Sequence, residues 1–178
     1  EKWGQKLPFY FVQIAPFRYT PEAESHALRE AQRKTLALEK TGMAVTLDIG
    51  EEDDIHPANK QDVGKRLARL ALANDYGKSE VLASGPLYKS QKLDPSYIDL
   101  DFDYVGSGLM AKGALLGFEI AGSDSVFYPA TAKILDDKVR VSSRKVKNPK
   151  RVRYGWKNYF EATLFNTEGL PASSFQTP

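Results

Sequence analysis

The segment Pro8–Ala15, which reads PFYFVQIA, decides how the first part of this chain folds. Its aromatic and β-branched residues extend over the length of one strand and predict a buried β-strand. A second apolar run, MAVTLDI at Met43–Ile49, predicts another strand that ends at Gly50. Helical periodicity fills the interval between the two runs. The order strand, helix, strand predicts parallel strands joined by a crossover helix.

The first helix has sequence signals at both of its ends. Thr20 is a candidate N-cap, Pro21 fits the first helical position, and Gly42 fits a left-handed C-cap. Apolar residues at helical spacing predict the stripe that packs against the sheet. This expected buried stripe consists of Ala27, Leu28, Ala31 and Leu38.

The second helix follows the second strand after a short acidic loop. Asn59 is its candidate N-cap, with Asp62 three residues later, and Gly77 is expected to stop it. A buried stripe is again predicted from helical spacing. Its members are Val63, Leu67, Leu70 and Ala71.

The pattern changes to short strands after Gly77. Tyr97–Asp103 alternates apolar and acidic residues, as a strand with one solvated face does. Asp136-Asp137 predicts a hairpin turn, and the tail Thr167–Pro178 reads as irregular. Such strands predict an antiparallel β-sandwich-like domain at 81–178 after an α/β domain at 1–80. Further strands are expected at Leu115–Ala121, Thr131–Leu135, Val139–Val141 and 152–156.

Composition narrows the classes of protein to which the chain can belong. A net charge of +2 over 178 residues is too small to indicate a nucleic-acid-binding protein. The sequence has no apolar run near the roughly 20 residues that span a bilayer. The absence of cysteine excludes disulfides and cysteine-based zinc or nucleophile chemistry.

The segment Asp53-Asp54-Ile55-His56-Pro57 carries the candidate catalytic chemistry. Of the two histidines, His26 and His56, only His56 follows a predicted buried strand. Loops past the carboxyl ends of parallel strands form the ligand crevice of open α/β sheets. A nearby carboxylate can hold the imidazole in the tautomer that accepts a serine proton. Asp53 has the favoured three-residue spacing and Asp54 is nearer, and a solvated acidic loop is the simpler alternative.

No serine has the surroundings of a nucleophile. A Gly-x-Ser-x-Gly elbow is absent, and Ser107 and Ser123 lie in glycine-containing segments that read as turns. Both serines fall in the β-rich region, far from the strand that leads to His56. The nucleophile is therefore not expected among them.

Candidate substrate contacts follow the first strand. Phe17, Arg18 and Tyr19 could line a ligand pocket, in which Arg18 could pair with a carboxylate, or Pro16-Phe17 could only anchor the loop. Polar residues on the first helix are more simply an exposed face with partners one turn away. These residues are Arg29, Glu30 and Gln32. The basic residues between Lys138 and Arg153 read as a solvated strand face.

Several short segments, spread over nearly the whole chain, together resemble the sialate O-acetylesterase family. They are PFYFVQ at 8–13, LREAQ at 28–32, DIHP at 54–57 with Asn59-Lys60, VGKRLA at 63–68, GPLY at 85–88, GFEIA at 117–121, YGW at 154–156, LFN at 164–166 and GLPA at 169–172.

The resemblance implies a serine esterase with the flavodoxin-like SGNH (GDSL-like) fold and a β-sandwich module, often periplasmic or extracellular. It implies His56 as general base, with Asp53 or Asp54 as its orienting acid, or a backbone carbonyl in that role. The family's nucleophile and oxyanion blocks would precede residue 1, so the chain is expected to be a C-terminal portion.

The implied substrate is an O-acetylated sialic acid or a related sugar, on which Phe17 and Tyr19 could stack while Arg18 pairs with a sialate carboxylate. The implied partner is the N-terminal part of the same enzyme. No metal or organic cofactor is implied. The alternatives are an acetyl xylan esterase with the same chemistry, and a non-catalytic carbohydrate-binding or structural β module.

Overall fold

The computed structural model describes residues 3–20 and 22–178, so the predicted role of Pro21 at a helix start lies outside the described residues. These residues form two α-helices, one short 3-10 turn and twelve strands. The helices are α1 Ser25–Lys34 and α2 Lys60–Asn74, and the 3-10 turn is Thr35–Ala37. The strands are β1 Phe9–Val12, β2 Thr41–Ala44, β3 Leu87–Leu93, β4 Ile98–Asp103, β5 Leu109–Ala111, β6 Phe118–Ala121, β7 Phe127–Pro129, β8 Thr131–Leu135, β9 Lys138–Ser142, β10 Arg151–Tyr154, β11 Leu164–Asn166 and β12 Phe175–Gln176.

The first two strands are parallel, as the strand–helix–strand order predicts. Phe9 lies opposite Thr41 and Val12 opposite Ala44, with α1 crossing between the strands. Two parallel strands are common to many α/β folds. The flavodoxin-like assignment therefore stays a prediction.

Gly42 is a strand residue, which corrects its predicted role as a helix C-cap. The left-handed residue before β2 is Lys40, at φ 58°. A Cβ on Gly42 would lie 2.8 Å from Tyr10 Cδ1 and 2.9 Å from Leu70 Cδ2. Glycine is therefore needed here for close packing of β2 against β1 and α2.

The buried face of α1 is polar, which corrects the predicted apolar stripe. Leu28 is 48% exposed and Leu38 is 64% exposed. Arg29 and Glu30 are buried instead, although they were expected on an exposed face. The reason is tertiary, because the C-terminal tail and the loop after β10 contact the Arg29 side of the helix.

The start and end of α2 agree with the sequence signals. Asn59 Oδ1 accepts a hydrogen bond from the Asp62 N–H at 3.1 Å, and Gly77 is left-handed at φ 65° beyond the helix. Leu70 is buried, while the other members of the predicted stripe are half-buried. Neither α-helix of the described chain has the length and apolar character that a bilayer crossing requires.

The remaining strands are antiparallel, as their alternation predicts. One four-stranded sheet has the order β3-β4-β9-β8 and another has the order β12-β10-β6-β7, with a separate β5-β11 pair. Aromatic rings pack between the two larger sheets. The centroid of the Phe175 ring lies 5.0 Å from that of Tyr88 and 5.8 Å from that of Phe102. Apolar residues of both sheets form one continuous core.

The C-terminal tail is an ordered part of that core, which corrects its predicted irregularity. Phe175 is fully buried in β12, and residues 170–175 are all buried. Met43, Val45 and Leu47 belong to the same hydrophobic cluster as the β-sheets. The hydrophobic packing is thus continuous across residue 80. The division into domains at 1–80 and 81–178 stays a prediction from the sequence.

Candidate functional site

The loops that leave β1 and β2 meet at the carboxyl end of the parallel pair. Gly50 packs so closely on Pro16 that a Cβ would lie 2.3 Å from the Pro16 carbonyl oxygen. The Gln13 N–H donates to the Ala44 carbonyl at 3.0 Å, which continues the pairing beyond β1. Together, the Gly50–Pro16 packing and this hydrogen bond place residues 16–20 beside the acidic loop that contains His56.

Arg18 connects the two loops by charge. Its Nη2 lies 2.8 Å from Asp53 Oδ1 and 3.4 Å from Glu52 Oε1. Its backbone N–H also donates to the Glu52 carbonyl at 2.9 Å. Exposed ion pairs of this kind contribute about 0–1 kcal/mol to stability. We therefore assign them to the shape of the site and not to the stability of the fold.

His56 is exposed at the rim of the acidic loop, while the next residue, Pro57, is buried. Its backbone N–H donates to Asp54 Oδ1 at 2.8 Å, which forms a tight turn two residues long. Glu51 Oε1 accepts the Ala58 N–H at 2.7 Å and closes the loop. The loop geometry thus comes from carboxylates that bind backbone groups.

The two aspartates predicted to orient His56 are engaged elsewhere. Asp53 pairs with Arg18, and Asp54 accepts the His56 backbone N–H. Neither of these contacts involves the His56 imidazole. The assignment of His56 as base, and of either aspartate as its orienting acid, stays a prediction.

Phe17 and Tyr19 form an aromatic pair beside Arg18. Their rings meet edge to face with centroids 5.0 Å apart. The Phe17 N–H donates to the Asn158 carbonyl at 3.4 Å, and burial raises the pKa of the Tyr19 hydroxyl. The pair is partly buried against a neighbouring loop, and its role in sugar binding stays a prediction.

Asn158 is the residue of this region that sequence reasoning missed. Its Oδ1 accepts both the N–H and the hydroxyl of Ser25 at 3.0 Å, and its Nδ2 donates to the Thr20 carbonyl at 3.1 Å. These partners lie more than 130 positions away in the chain. No local pattern signals such a contact.

Arg29 supports the same loop from inside the fold. It donates to the carbonyls of Lys157 and Asn158 and to Ser174 Oγ. Burial lowers the pKa of the Arg29 guanidinium to about 10. Arg29 therefore holds the loop after β10 and the C-terminal tail against α1.

Asp48 and Arg66 fix α2 to the end of β2. Two hydrogen bonds of 2.7 Å join the guanidinium to the carboxylate, and Arg66 also donates to the Val45 carbonyl at 2.6 Å. The side chains are 13% and 10% exposed. The sequence contains a signal for this buried pair, because Asp48 is the one charged residue in the apolar run Met43–Ile49.

A cavity of about 230 Å³ opens beside the His56 loop. Ile55 and Pro57 line it on one side, and Val12 and Gln13 line it on the other. Gln13 Oε1 is buried without a hydrogen-bond partner among the described residues. The cavity is lined mainly by apolar residues, among them both sequence neighbours of His56.

The second histidine lies in a different environment. The His26 ring lies 5.0 Å from that of Trp156 between centroids, and burial, followed by the charge of Arg29, lowers its pKa. Its Nδ1 is buried and unpartnered within residues 3–20 and 22–178. Over the same residues, His, Asp and Glu side chains form no cluster able to hold a metal ion.

No protein-family model and no curated protein matches this chain. Among solved structures, a carbohydrate acetylesterase from Xanthomonas citri is similar to it, with a TM-score of 0.90 and 45% sequence identity. The similarity covers 96% of this chain and 41% of the other protein. The chain thus spans less than half the length of the solved structure that it matches.

Proposed function

We propose that this chain is part of a carbohydrate O-acetylesterase in which His56 is the general base. The supporting observation is an exposed imidazole on the loop past the carboxyl end of β2. Parallel sheets bind their ligands at this end. The likeness to a carbohydrate acetylesterase, at 45% identity, supports the reaction class. The periplasmic or extracellular location implied by the sequence resemblance belongs to the same proposal.

The proposed reaction is acyl transfer through a serine. The serine oxygen attacks the acetyl carbonyl while His56 takes the hydroxyl proton. The imidazolium then gives that proton to the departing sugar oxygen, which leaves an acetyl-serine. Water attacks this ester with His56 again as base, releasing acetate and restoring the serine.

We place the nucleophilic serine on polypeptide outside these residues. Ser107 lies in a turn between β4 and β5 of the antiparallel part, as the sequence pattern predicts, and its N–H donates to Glu168 Oε1 at 2.9 Å. The similar solved protein is more than twice as long as the segment that matches, since only 41% of it is covered. Its length leaves room for a separate nucleophile segment.

An exposed apolar surface beside β1 supports a further segment of the same polypeptide as the partner. The surface includes Phe9, 63% exposed, Val12, 37% exposed, and Leu28, 48% exposed. Among the described strands, β1 pairs only with β2, so its other edge is open to a parallel strand.

The open edge is partly covered by one side chain. Gln32 Nε2 donates to the Val12 carbonyl at 3.1 Å, and Gln32 Oε1 accepts the Ile14 N–H at 2.9 Å. This amide imitates the hydrogen bonds of a neighbouring strand. A strand that docks here must displace it.

The charge around Arg18 bears on which sugar is the substrate. The predicted partner of Arg18 was a sialate carboxylate, yet Asp53 and Glu52 already pair with the guanidinium. An acidic sugar would have to displace one of them, whereas a neutral sugar would not. We therefore expect faster acetate release from acetylated xylan than from acetylated sialate. The reverse ranking would support the sialate assignment.

The His56→Ala variant of the complete polypeptide tests the general base. Acid–base catalysis contributes roughly 10²–10⁴ in rate, so acetate release should fall by at least the lower figure. Lys65→Ala, on the exposed face of α2, is the matched control and should keep wild-type turnover. Near-normal turnover by His56→Ala would show that His56 is not the base.

The partner proposal is tested by comparing residues 1–178 with the complete polypeptide. Only the complete polypeptide should release acetate from acetylated sugars. Turnover by residues 1–178 alone would place the nucleophile within them. A complete polypeptide that binds sugar without hydrolysing its acetyl groups would instead favour a non-catalytic carbohydrate-binding module.

A further inference from the structure

A second cavity lies at the opposite end of β2 from His56. Its volume is about 400 Å³, and it is lined by the start of β2, the ends of α1 and α2, the start of β3 and the end of β4. The polar and aromatic lining includes Thr41, Asn74, Ser84, Tyr88, Asp103 and Tyr104. We call this cavity the junction groove, because it lies between the parallel and antiparallel parts.

Tyr104 is held in an unfavourable backbone conformation at the rim of the junction groove. Its φ is 60°, in the left-handed region that bulky side chains disfavour. The buried Asn166 amide donates to the Tyr104 carbonyl at 3.1 Å and fixes this conformation. The residue is nevertheless 42% exposed, so packing alone does not explain the position. Backbone outliers of this kind cluster at functional sites.

A β-bulge lies on the other side of the groove. The register of β3 against β4 shifts between Tyr88 and Ser90, and Lys89 at the bulge lies 2.8 Å from Asp103 Oδ1. Bulges re-aim side chains and are frequent beside binding sites. Of this pair, Asp103 lines the groove, so the bulge places an ion pair at the edge of the groove.

The groove also contains a buried group without a partner. Ser84 is 7% exposed, and its Oγ makes no hydrogen bond to any described residue. Buried hydroxyls without partners are rare in folded proteins. A ligand hydroxyl or a water in the groove would satisfy this one.

We propose that the junction groove is a second binding site for a pyranose sugar, with Tyr104 as its stacking surface. Sugar rings stack on exposed aromatic faces, and the Asp103 carboxylate and Asn74 amide suit neighbouring sugar hydroxyls. Tyr88 serves as a wall, because its ring stacks on Phe175 at 5.0 Å and faces Arg33 at 5.8 Å. The proposal does not depend on His56, so either can fail alone.

The charge of the groove admits neutral and acidic pyranoses. Arg33 binds Glu30 through two hydrogen bonds of 2.8 Å, and Lys34 lies 3.6 Å from the same carboxylate. Two cations therefore share one anion. The groove carboxylate Asp103 is paired with Lys89, so one positive charge remains in excess and would favour a sugar carboxylate over a neutral sugar at low salt.

The test titrates the chain with xylohexaose and, separately, with N-acetylneuraminic acid, followed by calorimetry and amide chemical shifts. At least one sugar should bind, with shift changes centred on residues 84–88 and 103–105. Tyr104→Gly should weaken binding about tenfold or more. The same variant should be no less stable than the wild type, because glycine adopts the left-handed conformation freely.

Tyr97→Ala is the matched control, since Tyr97 precedes β4 and Tyr104 follows it. The control should bind the sugar with unchanged affinity. Tyr104→Asn repeats the test with a second residue that tolerates positive φ. Lys34→Gln should weaken only the acidic sugar, and its effect identifies which of the two sugars the charge selects.

The proposal is overturned if neither sugar binds, or if Tyr104→Gly and Tyr104→Asn bind as tightly as the wild type. Shift changes centred on the His56 loop alone would also overturn it, because they would place the sugar at the proposed active site. Loss of acetate release in the complete His56→Ala polypeptide, with sugar binding at the groove intact, would support both proposals separately.

Discussion

Asp54 shows how one carboxylate can have either of two roles in the candidate site. In the structure, its Oδ1 accepts the His56 backbone N–H at 2.8 Å, which shapes the loop. The family resemblance instead predicts an ionic role toward the imidazole. The ionic role requires the negative charge of Asp54. The loop-shaping role does not, because an amide oxygen can replace a carboxylate as acceptor of a backbone N–H.

Asp54→Asn in the complete polypeptide separates these roles. If Asp54 only shapes the loop, acetate release should stay within about threefold of wild type, since the acceptor atom remains. Asp54→Ala should reduce it further by loosening the loop. A fall of about 10²-fold or more in Asp54→Asn would instead assign Asp54 as the charged partner of His56.

Because of His26, we expect the stability of the fold to depend on pH. Burial and the charge of Arg29 lower its pKa in the folded state, while Glu24 opposes this effect and Arg153 adds to it. The folded state therefore favours the neutral ring. Its contribution to stability is complete above the unfolded pKa of about 6.5 and is lost as the pH falls through the folded pKa.

The measurement is urea unfolding of the wild type and of His26→Gln between pH 7.5 and pH 5. The wild type should lose more stability than the variant over this range, because only the wild type must protonate a half-buried imidazole. Equal losses in the two proteins would contradict a role for His26.

At the scale of elements, a buried ion pair positions α2 against β2. Asp48 and Arg66 make two hydrogen bonds of 2.7 Å with little exposure. Removing one partner of a buried pair leaves an uncompensated charge. Since α2 follows the His56 loop directly, this pair also sets the far end of that loop.

Asp48→Ala should lower the free energy of unfolding by about 3–5 kcal/mol. Glu39→Ala is the matched control, because Glu39 and Lys6 form a pair at 3.0 Å with both side chains 80% exposed. The control should change stability by less than about 1 kcal/mol. Similar changes in the free energy of unfolding for the two variants, measured by urea unfolding, would show that the Asp48–Arg66 pair contributes no more than an exposed ion pair.

At the scale of the molecule, Phe175 connects parts that the sequence separates. Its ring contacts β3, β4 and β10 through Tyr88, Phe102 and Tyr154. Phe175→Ala should lower the free energy of unfolding by about 3–5 kcal/mol. Leu116→Ala, at a leucine that is 60% exposed, should change it by about 0.5 kcal/mol or less.

The continuous core further predicts one cooperative unfolding transition in calorimetry. Met43, Val45 and Leu47 share a hydrophobic cluster with both large sheets, so the buried apolar residues of the two parts form one core. Two separate transitions would show instead that residues 1–80 and 81–178 are independent domains.

Features that depend on neighbouring residues in the chain are predictable from the amino-acid sequence. Alternating residues specified β4, the Asn59 cap specified the start of α2, and the strand–helix–strand order specified the parallel pair. Hydrophobic periodicity and helix capping depend on residues close together in the chain, so they can be recognised in a single sequence. The position of His56 after β2 followed from the same local order.

Which faces are buried and which loops meet depends instead on contacts between segments that are distant in the chain. The apolar stripe of α1 is exposed and Arg29 is buried, because a tail more than 140 residues away covers the polar side. Asn158 joins the loop after β1 to α1 across a comparable distance. Such contacts depend on packing and loop closure between distant segments, and no local period encodes them.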